Sequence, residues 1–197
     1  MKIKTALMGA VASLALAPMA FADAHEGERG RDGQLNIIYW QAPSILNPYL
    51  SGGTKDLESA SMIVEPLARY NETGALVPYL AEEIPTVANG GVSEDLTSIT
   101  WKLKSGLLWS DGSAVTSADV VFTAAYCMDP EGGCAQLSKF DGVENVEAID
   151  DLTVKVTFDS AKPNPYGPSA GAQSPSSQPA QLAACRLAPP PRPDHKR

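Results

Sequence analysis

Leu107 to Tyr126 reads LLWSDGSAVTSADVVFTAAY, and the fold turns on how this stretch is parsed. Leu107, Leu108 and Trp109 form the apolar end of a strand. Ser110, Asp111 and Gly112 form a turn, because Asp can hydrogen-bond the backbone ahead of it and Gly accepts a positive φ. Thr116 then opens a helix as its cap, and Asp119 three residues on reaches back, an Asp version of the capping box. Val120, Phe122 (or Val121), Ala124 and Ala125 give that helix a buried face. The stretch predicts a strand, a polar turn and a helix packed on a core.

The flanking segments supply the rest of that core. SITWKL (98–103) alternates, with Ile99, Trp101 and Leu103 on one side and Thr100 and Lys102 on the other. VENVEAI (143–149) and LTVKVTF (152–158) also alternate, and Asp150-Asp151 between them predicts a hairpin with a two-residue turn. Asp56 to Ala68 has helical spacing at Leu57, Ala60, Val64, Leu67 and Ala68, with Pro66 ending or bending it. ARYNETGALVP (68–78) predicts a second hairpin, turning through Asn71-Glu72-Thr73-Gly74.

LNIIYW (35–40) is a nearly continuous apolar run, as expected of a strand covered on both faces. Gln41 to Tyr49 follows as a loop, fixed by Pro43 and Pro48. Loops at strand ends are where α/β proteins place ligand groups. Tyr39, Trp40, Gln41 and Asn47 combine flat apolar area with amide donors and acceptors, and are the candidate ligand-binding residues. The competing reading places Tyr39 and Trp40 in the core.

The charge of −8 and pI near 4.7 argue against nucleic acid, whose phosphates require clustered Lys and Arg. The charge is uneven: Asp23 to Asp159 holds 22 acidic and 8 basic residues, whereas Ser160 onward holds 1 acid and 5 bases. Residues 1–22 carry the marks of a secretory signal: Lys2 and Lys4, an apolar run from Ala6 to Ala17 too short to span a bilayer, and Ala20-Phe21-Ala22 as a cleavage site. The rival is an uncleaved anchor. Cleavage after Ala22 predicts an exported, periplasmic protein without stable membrane insertion. Residues 23–34 then form a flexible leader.

Cys127 and Cys134 flank a Pro- and Gly-containing turn, and an oxidising compartment favours a disulfide between them. Zinc is the rival reading, opposed by the lack of nearby His. No metal or cofactor is expected.

Trp109-Ser110-Asp111-Gly112, then Thr116, Asp119-Val120 and Phe122, resembles the signature of the family 5 extracellular solute-binding proteins, receptors that feed ABC importers. Glu65-Pro66-Leu67 with Tyr70, Gly74, Val77-Pro78 and Leu80-Ala81-Glu82 fits the same pattern, as do Trp101 to Gly106 and the 143–158 hairpin. The resemblance runs with gaps from about Leu35 to Tyr166. It implies the N-terminal part (35–166) of a solute-binding domain: an α/β, mixed α+β fold of the type II periplasmic binding protein kind, an incomplete first lobe with a mixed sheet, hairpins and flanking helices. It also implies a peptide or similar small solute as ligand, a membrane ABC permease as partner, and a first strand and loop lining the cleft. The signature's own role is expected to be structural.

From Ser160 the pattern fades, and 9 of the 16 prolines fall in 160–197. Residues 167–197 are expected to be a Pro-rich disordered tail, for which translation out of frame is the favoured origin; a natural tail is the alternative. An enzyme is the rival function. His25 and His195 lie at the two ends, and neither a G-x-S-x-G elbow nor H-E-x-x-H is present. A hydrolase working with carboxylates alone, a non-functional fragment, and an interaction module using PPPRP remain as alternatives.

Overall fold

The computed structural model describes residues 37–179. The chain divides into two units, 1–38 and 39–197. The described part of the second carries the elements below; the leader, the signal segment, His25, Cys185 and His195 lie outside the described residues.

A three-stranded antiparallel sheet of order β3-β5-β4 is the backbone of this unit. β3 is Ser98–Lys102, β4 Val143–Asp150 and β5 Thr153–Phe158. All three are rich in β-branched residues, whose stiff side chains suit a pleated surface. Ile99 faces Val156 and Trp101 faces Val154 across the ladder. Ile99, Trp101, Leu103, Val154, Val156 and Phe158 are buried, so the alternation read from the sequence holds on β3 and β5. β4 turns most of its residues to solvent. The hairpin pairs Asp150 with Thr153, so its turn is Asp151-Leu152, one residue later than expected. A register irregularity between Ala148 and Asp150 absorbs the shift, and the Asp150 carboxylate accepts the Leu152 N–H at 2.8 Å.

Helix α2, Ser117–Met128, lies against this sheet. Its buried face is Ser117, Asp119, Val120, Thr123, Ala124, Tyr126 and Cys127. Ala125 is exposed and Phe122 only half-buried. The apolar count alone misplaced the face by about one residue, because small and hydroxyl side chains rather than large apolar ones occupy much of it. Val120 joins the sheet's core. Ala124, Tyr126 and Cys127 join a second cluster with Tyr49 and Phe140.

Helix α1 is short, Thr54–Ala60, not the expected 56–68. Leu57 and Ala60 bury as the spacing predicts. Beyond them Pro66 cannot continue a helix and disfavours the α conformation at Glu65. Met62 and Ile63 instead donate to Ser59 and Ala60 carbonyls three residues back. Leu67 and Ala68, expected on the helix face, are buried at the start of β1, Ala68–Tyr70, which pairs with β2, Leu76–Pro78. Asn71 Oδ1 collects the Thr73 and Ala75 N–H groups and Gly74 sits at φ 79°, as the turn chemistry predicts.

Two further expectations fail in this unit. Residues 37–40 form no strand, and Ile38 is 99% exposed. A strand exists only beside a ladder partner, and this run has none among the described residues; Leu35 and Asn36 lie outside them. The tail also does not begin at 167. Residues 167–179 pack on the body, with Ser169, Ser174, Pro175, Ser176, Ser177 and Gln178 buried. Pro175 forms a bridge with Pro66 and Ala170 with Ala68. The Ser176 N–H donates to Glu65 O at 2.9 Å. Hydrogen bonds to fixed partners far away in sequence offset the ordering entropy that composition alone could not.

Candidate functional site

Two neighbouring constructions decide what this unit can do: the turn that carries the signature, and the loop that carries the candidate ligand groups.

Leu107 to Trp109 do not form a strand; the segment folds back through a single bridge, Leu108 to Ala114. Gly112 takes φ 85°, which closes the turn. Asp111 Oδ1 accepts the Ser113 N–H at 2.9 Å and its hydroxyl at 2.6 Å. Asp111 Oδ2 accepts from Gln178 Nε2 at 2.8 Å. Bonds from the Ser113 hydroxyl, the Gln178 amide and the Ser113 N–H hold the Asp111 carboxyl down to about 2. Thr116 caps α2, and Thr116 and Asp119 complete the capping box, the Thr116 N–H donating to Asp119 Oδ2 at 2.8 Å. Trp109 Nε1 donates to the same oxygen at 3.2 Å. Further along the helix, the Ser177 N–H donates to Thr123 Oγ1 at 2.9 Å. Asp111 and Asp119 of the signature thus spend their hydrogen bonds on the turn, the helix cap and Gln178. Gln178 and Ser177 were not legible as partners, because nothing local marks a residue whose partner is 54 or 67 positions away.

Ser110 and Trp109 also wall a cleft of about 230 Å³ with Met62, Ile63, Leu80, Leu108 and Val115. None of Tyr39, Trp40, Gln41 and Asn47 lines it.

Those four residues lie on the stretch 39–47. Tyr39 is half-buried, with its ring 6.1 Å from that of Trp40. Trp40 is 70% exposed, so the core reading fails for it. Gln41 is exposed. Asn47 Oδ1 accepts the Tyr49 N–H at 2.9 Å and caps a 3-10 turn, Pro48–Leu50. Asn47 Nδ2 is buried without a hydrogen-bond partner among the described residues. The structure therefore leaves Trp40 and Gln41 exposed to solvent and gives Asn47 a backbone-fixing role with a buried, unpartnered amide nitrogen.

The loop is held from beneath. Asp56 Oδ1 accepts the Ser44 N–H at 2.6 Å and Oδ2 accepts the Ser51 hydroxyl at 2.7 Å. Lys55 Nζ lies 2.9 Å from Asp56 Oδ1. The Ser51 and Lys55 bonds hold the Asp56 carboxyl well below the usual carboxylate range. Tyr49 is fully buried, and its hydroxyl donates to Pro175 O. Burial pushes the Tyr49 phenol far up, so it stays neutral. Cys127 and Cys134 are joined as a disulfide, with Cα atoms 5.0 Å apart, within the range such a bond allows.

Among the described residues no group of three or more His, Cys, Asp or Glu side chains could hold a metal ion, and no helix is long and apolar enough to cross a membrane.

Residues 75–192 match the family described as "Bacterial extracellular solute-binding proteins, family 5 Middle". That match runs into the Pro-rich segment. The glutathione-binding protein GsiB of Pectobacterium atrosepticum is 27% identical over 113 residues, 57% of this chain and 21% of that protein. The oligopeptide-binding protein OppA of Bacillus subtilis is 27% identical over 158 residues, 72% of this chain and 28% of its own length. The chain thus spans between a fifth and a third of these relatives. Among solved structures, the binding protein AgaA of A. tumefaciens with agropinic acid superposes with a TM-score of 0.66 at 28% identity, covering 75% of this chain and 29% of that one. The OppA of Haemophilus influenzae in complex with a peptide shares the fold, with a TM-score of 0.63 at 24% identity over 75% of this chain and 30% of that one. The fold is that of part of a periplasmic binding protein, mixed α/β with antiparallel sheets, and the chain belongs to the family 5 bacterial extracellular solute-binding proteins.

Proposed function

We propose that the chain serves as the N-terminal part of the substrate-binding component of an ABC import system. In that role it captures a short peptide or similar small solute outside the cytoplasmic membrane and presents it to a membrane permease. It binds and does not catalyse. The family match over residues 75–192 carries this reading. The names of the relatives, which bind glutathione, oligopeptides and murein peptides, support the solute class. Export through a signal peptide at 1–22 belongs to the same proposal.

Tyr39, Trp40, Gln41 and Asn47 are proposed to supply a flat apolar surface and amide groups to the solute. Binding pairs of this kind need enclosure to reach high affinity, since an open loop leaves the bound solute solvated. The isolated chain should therefore bind short peptides no more tightly than about millimolar. The test is a titration of the purified, isotope-labelled chain with a mixture of tri- to pentapeptides, followed by NMR. The expected result is weak shifts confined to residues 39–47, removed by Trp40→Ala. Shifts that avoid residues 39–47 altogether, or that persist in Trp40→Ala, would contradict the proposed site, and micromolar affinity would contradict the expected weakness of an open loop.

A further inference from the structure

Two consecutive residues that follow the disulfide ring reach three carbonyls in and just after the 3-10 turn that ends the candidate ligand loop. The Ala135 N–H donates to Tyr49 O at 2.8 Å. Gln136 Nε2 donates to Pro48 O at 3.1 Å and to Ser51 O at 2.9 Å. Gln136 is 4% exposed, so its amide works in a shielded setting where each bond counts for more. The ring begins at Cys127, the penultimate residue of α2. It therefore ties residues 135 and 136 to a rigid helix through eight residues that otherwise contain a Pro-Glu-Gly-Gly turn. Tyr126, immediately before Cys127, meets the Tyr49 ring edge-on at 6.2 Å between centroids.

We infer that Gln136, held in place by the Cys127–Cys134 ring, is the positioning residue for the 3-10 turn Pro48–Leu50 at the end of the candidate ligand loop, so that opening the ring loosens the solute site. The inference rests on the proposed role of that loop. Gln136 touches no solute; it acts through the carbonyls that set the 3-10 turn and hence the place of Asn47. Opening is a two-electron step. A dithiol supplies two electrons and two protons, the S–S bond breaks into two thiols, and the dithiol becomes a disulfide. Residues 129–135 then lose their tie to α2 and keep only the following 3-10 turn, Leu137–Phe140, as an anchor, so the donors at 135 and 136 are held less firmly.

Amide hydrogen exchange on the full oxidised chain tests this without any ligand. Gln136→Ala should speed exchange at Tyr49, Leu50 and Ala135 by about tenfold or more, while Trp101, Val154 and Val156 keep their protection. Dithiothreitol, or Cys127→Ser with Cys134→Ser, should give the same local pattern, and Gln136→Asn should restore only part of the protection. Unchanged loop exchange in Gln136→Ala overturns the inference. Faster loop exchange in that variant, with no change on reduction, overturns the role of the ring. If the reduced chain unfolds as a whole, the sheet amides exchange as well, and the oxidised Gln136→Ala result decides. The peptide titration and the exchange experiment fail separately: a loop that touches no solute could still be positioned by Gln136.

Discussion

At the scale of single residues, carboxylates do the organising. Asp95 is held down to about 2 by the Ser93 and Thr97 hydroxyls and the Thr97 backbone N–H, and Asp111 to about 2 by the Ser113 hydroxyl, the Gln178 amide and the Ser113 N–H; the Ser51 hydroxyl and the Lys55 ammonium hold Asp56 well below the usual carboxylate range. Their folded forms bind protons less readily than the unfolded chain does. The stability they add is therefore present above the ordinary value of 3.8 and lost as pH falls from there through about 2. Thermal unfolding followed from pH 6 to pH 2 should show a midpoint that is flat above about pH 4 and falls below it. Asp111→Asn should make the acid-side fall shallower. Trp109 and Thr116 share a fourth carboxylate, that of Asp119. Thr116→Ala should cost about 1 kcal/mol in urea unfolding, as a lost N-cap does.

At the scale of elements, the three-stranded sheet and the disulfide ring set the stability. Ile99 is 1% exposed and packs within the main cluster, so Ile99→Ala should cost about 3 kcal/mol. Ile149 on β4 is 56% exposed, and Ile149→Ala should change stability by less than about 0.5 kcal/mol. Both are read from urea unfolding curves, and a near-equal cost would show that β4 and β3 bury their residues alike. These elements were the legible ones. Strict alternation at Ile99, Trp101 and Leu103 and at Val154, Val156 and Phe158 can only put those residues on one face. The α2 cap was legible because Thr116 and Asp119 stand at the spacing that the cap geometry needs. Helix α1 was overextended because spacing at Val64, Leu67 and Ala68 continued past a point where Pro66 forbids it. The 35–40 run read as a strand because its composition suits one; pairing, which makes a strand, is not written in the segment itself.

At the scale of the whole unit, the segment 167–179 closes the structure. It carries no periodicity, so its packing was invisible in the sequence. Its anchors are Pro175 on Pro66, Ser177 on Thr123 and Gln178 on Asp111. The candidate site was legible only by residue type. Trp40 and Gln41 stood out chemically, but Asp56, Gln136 and Pro175, which place their loop, are scattered over 120 residues of sequence. A chain ending after Tyr166 should lose its cooperative unfolding transition and bind a hydrophobic dye, because Leu67, Val120 and Thr123 would face water. A chain ending after Pro179 should unfold as sharply as the full one. Equal dye binding by the two would show that 167–179 contributes nothing to closure.

The hydroxyl of Tyr49 reaches the carbonyl of Pro175 across 126 positions. Contacts that far apart gain nothing until the intervening chain has been synthesised and its loop closed. A ribosome that has made the first 150 residues therefore holds a polypeptide with the β1–β2 hairpin and both helices encoded, but with neither the central strand β5 nor a lid on its second apolar cluster. Such a nascent chain cannot close that cluster until the residues around Pro175 have emerged and found Tyr49.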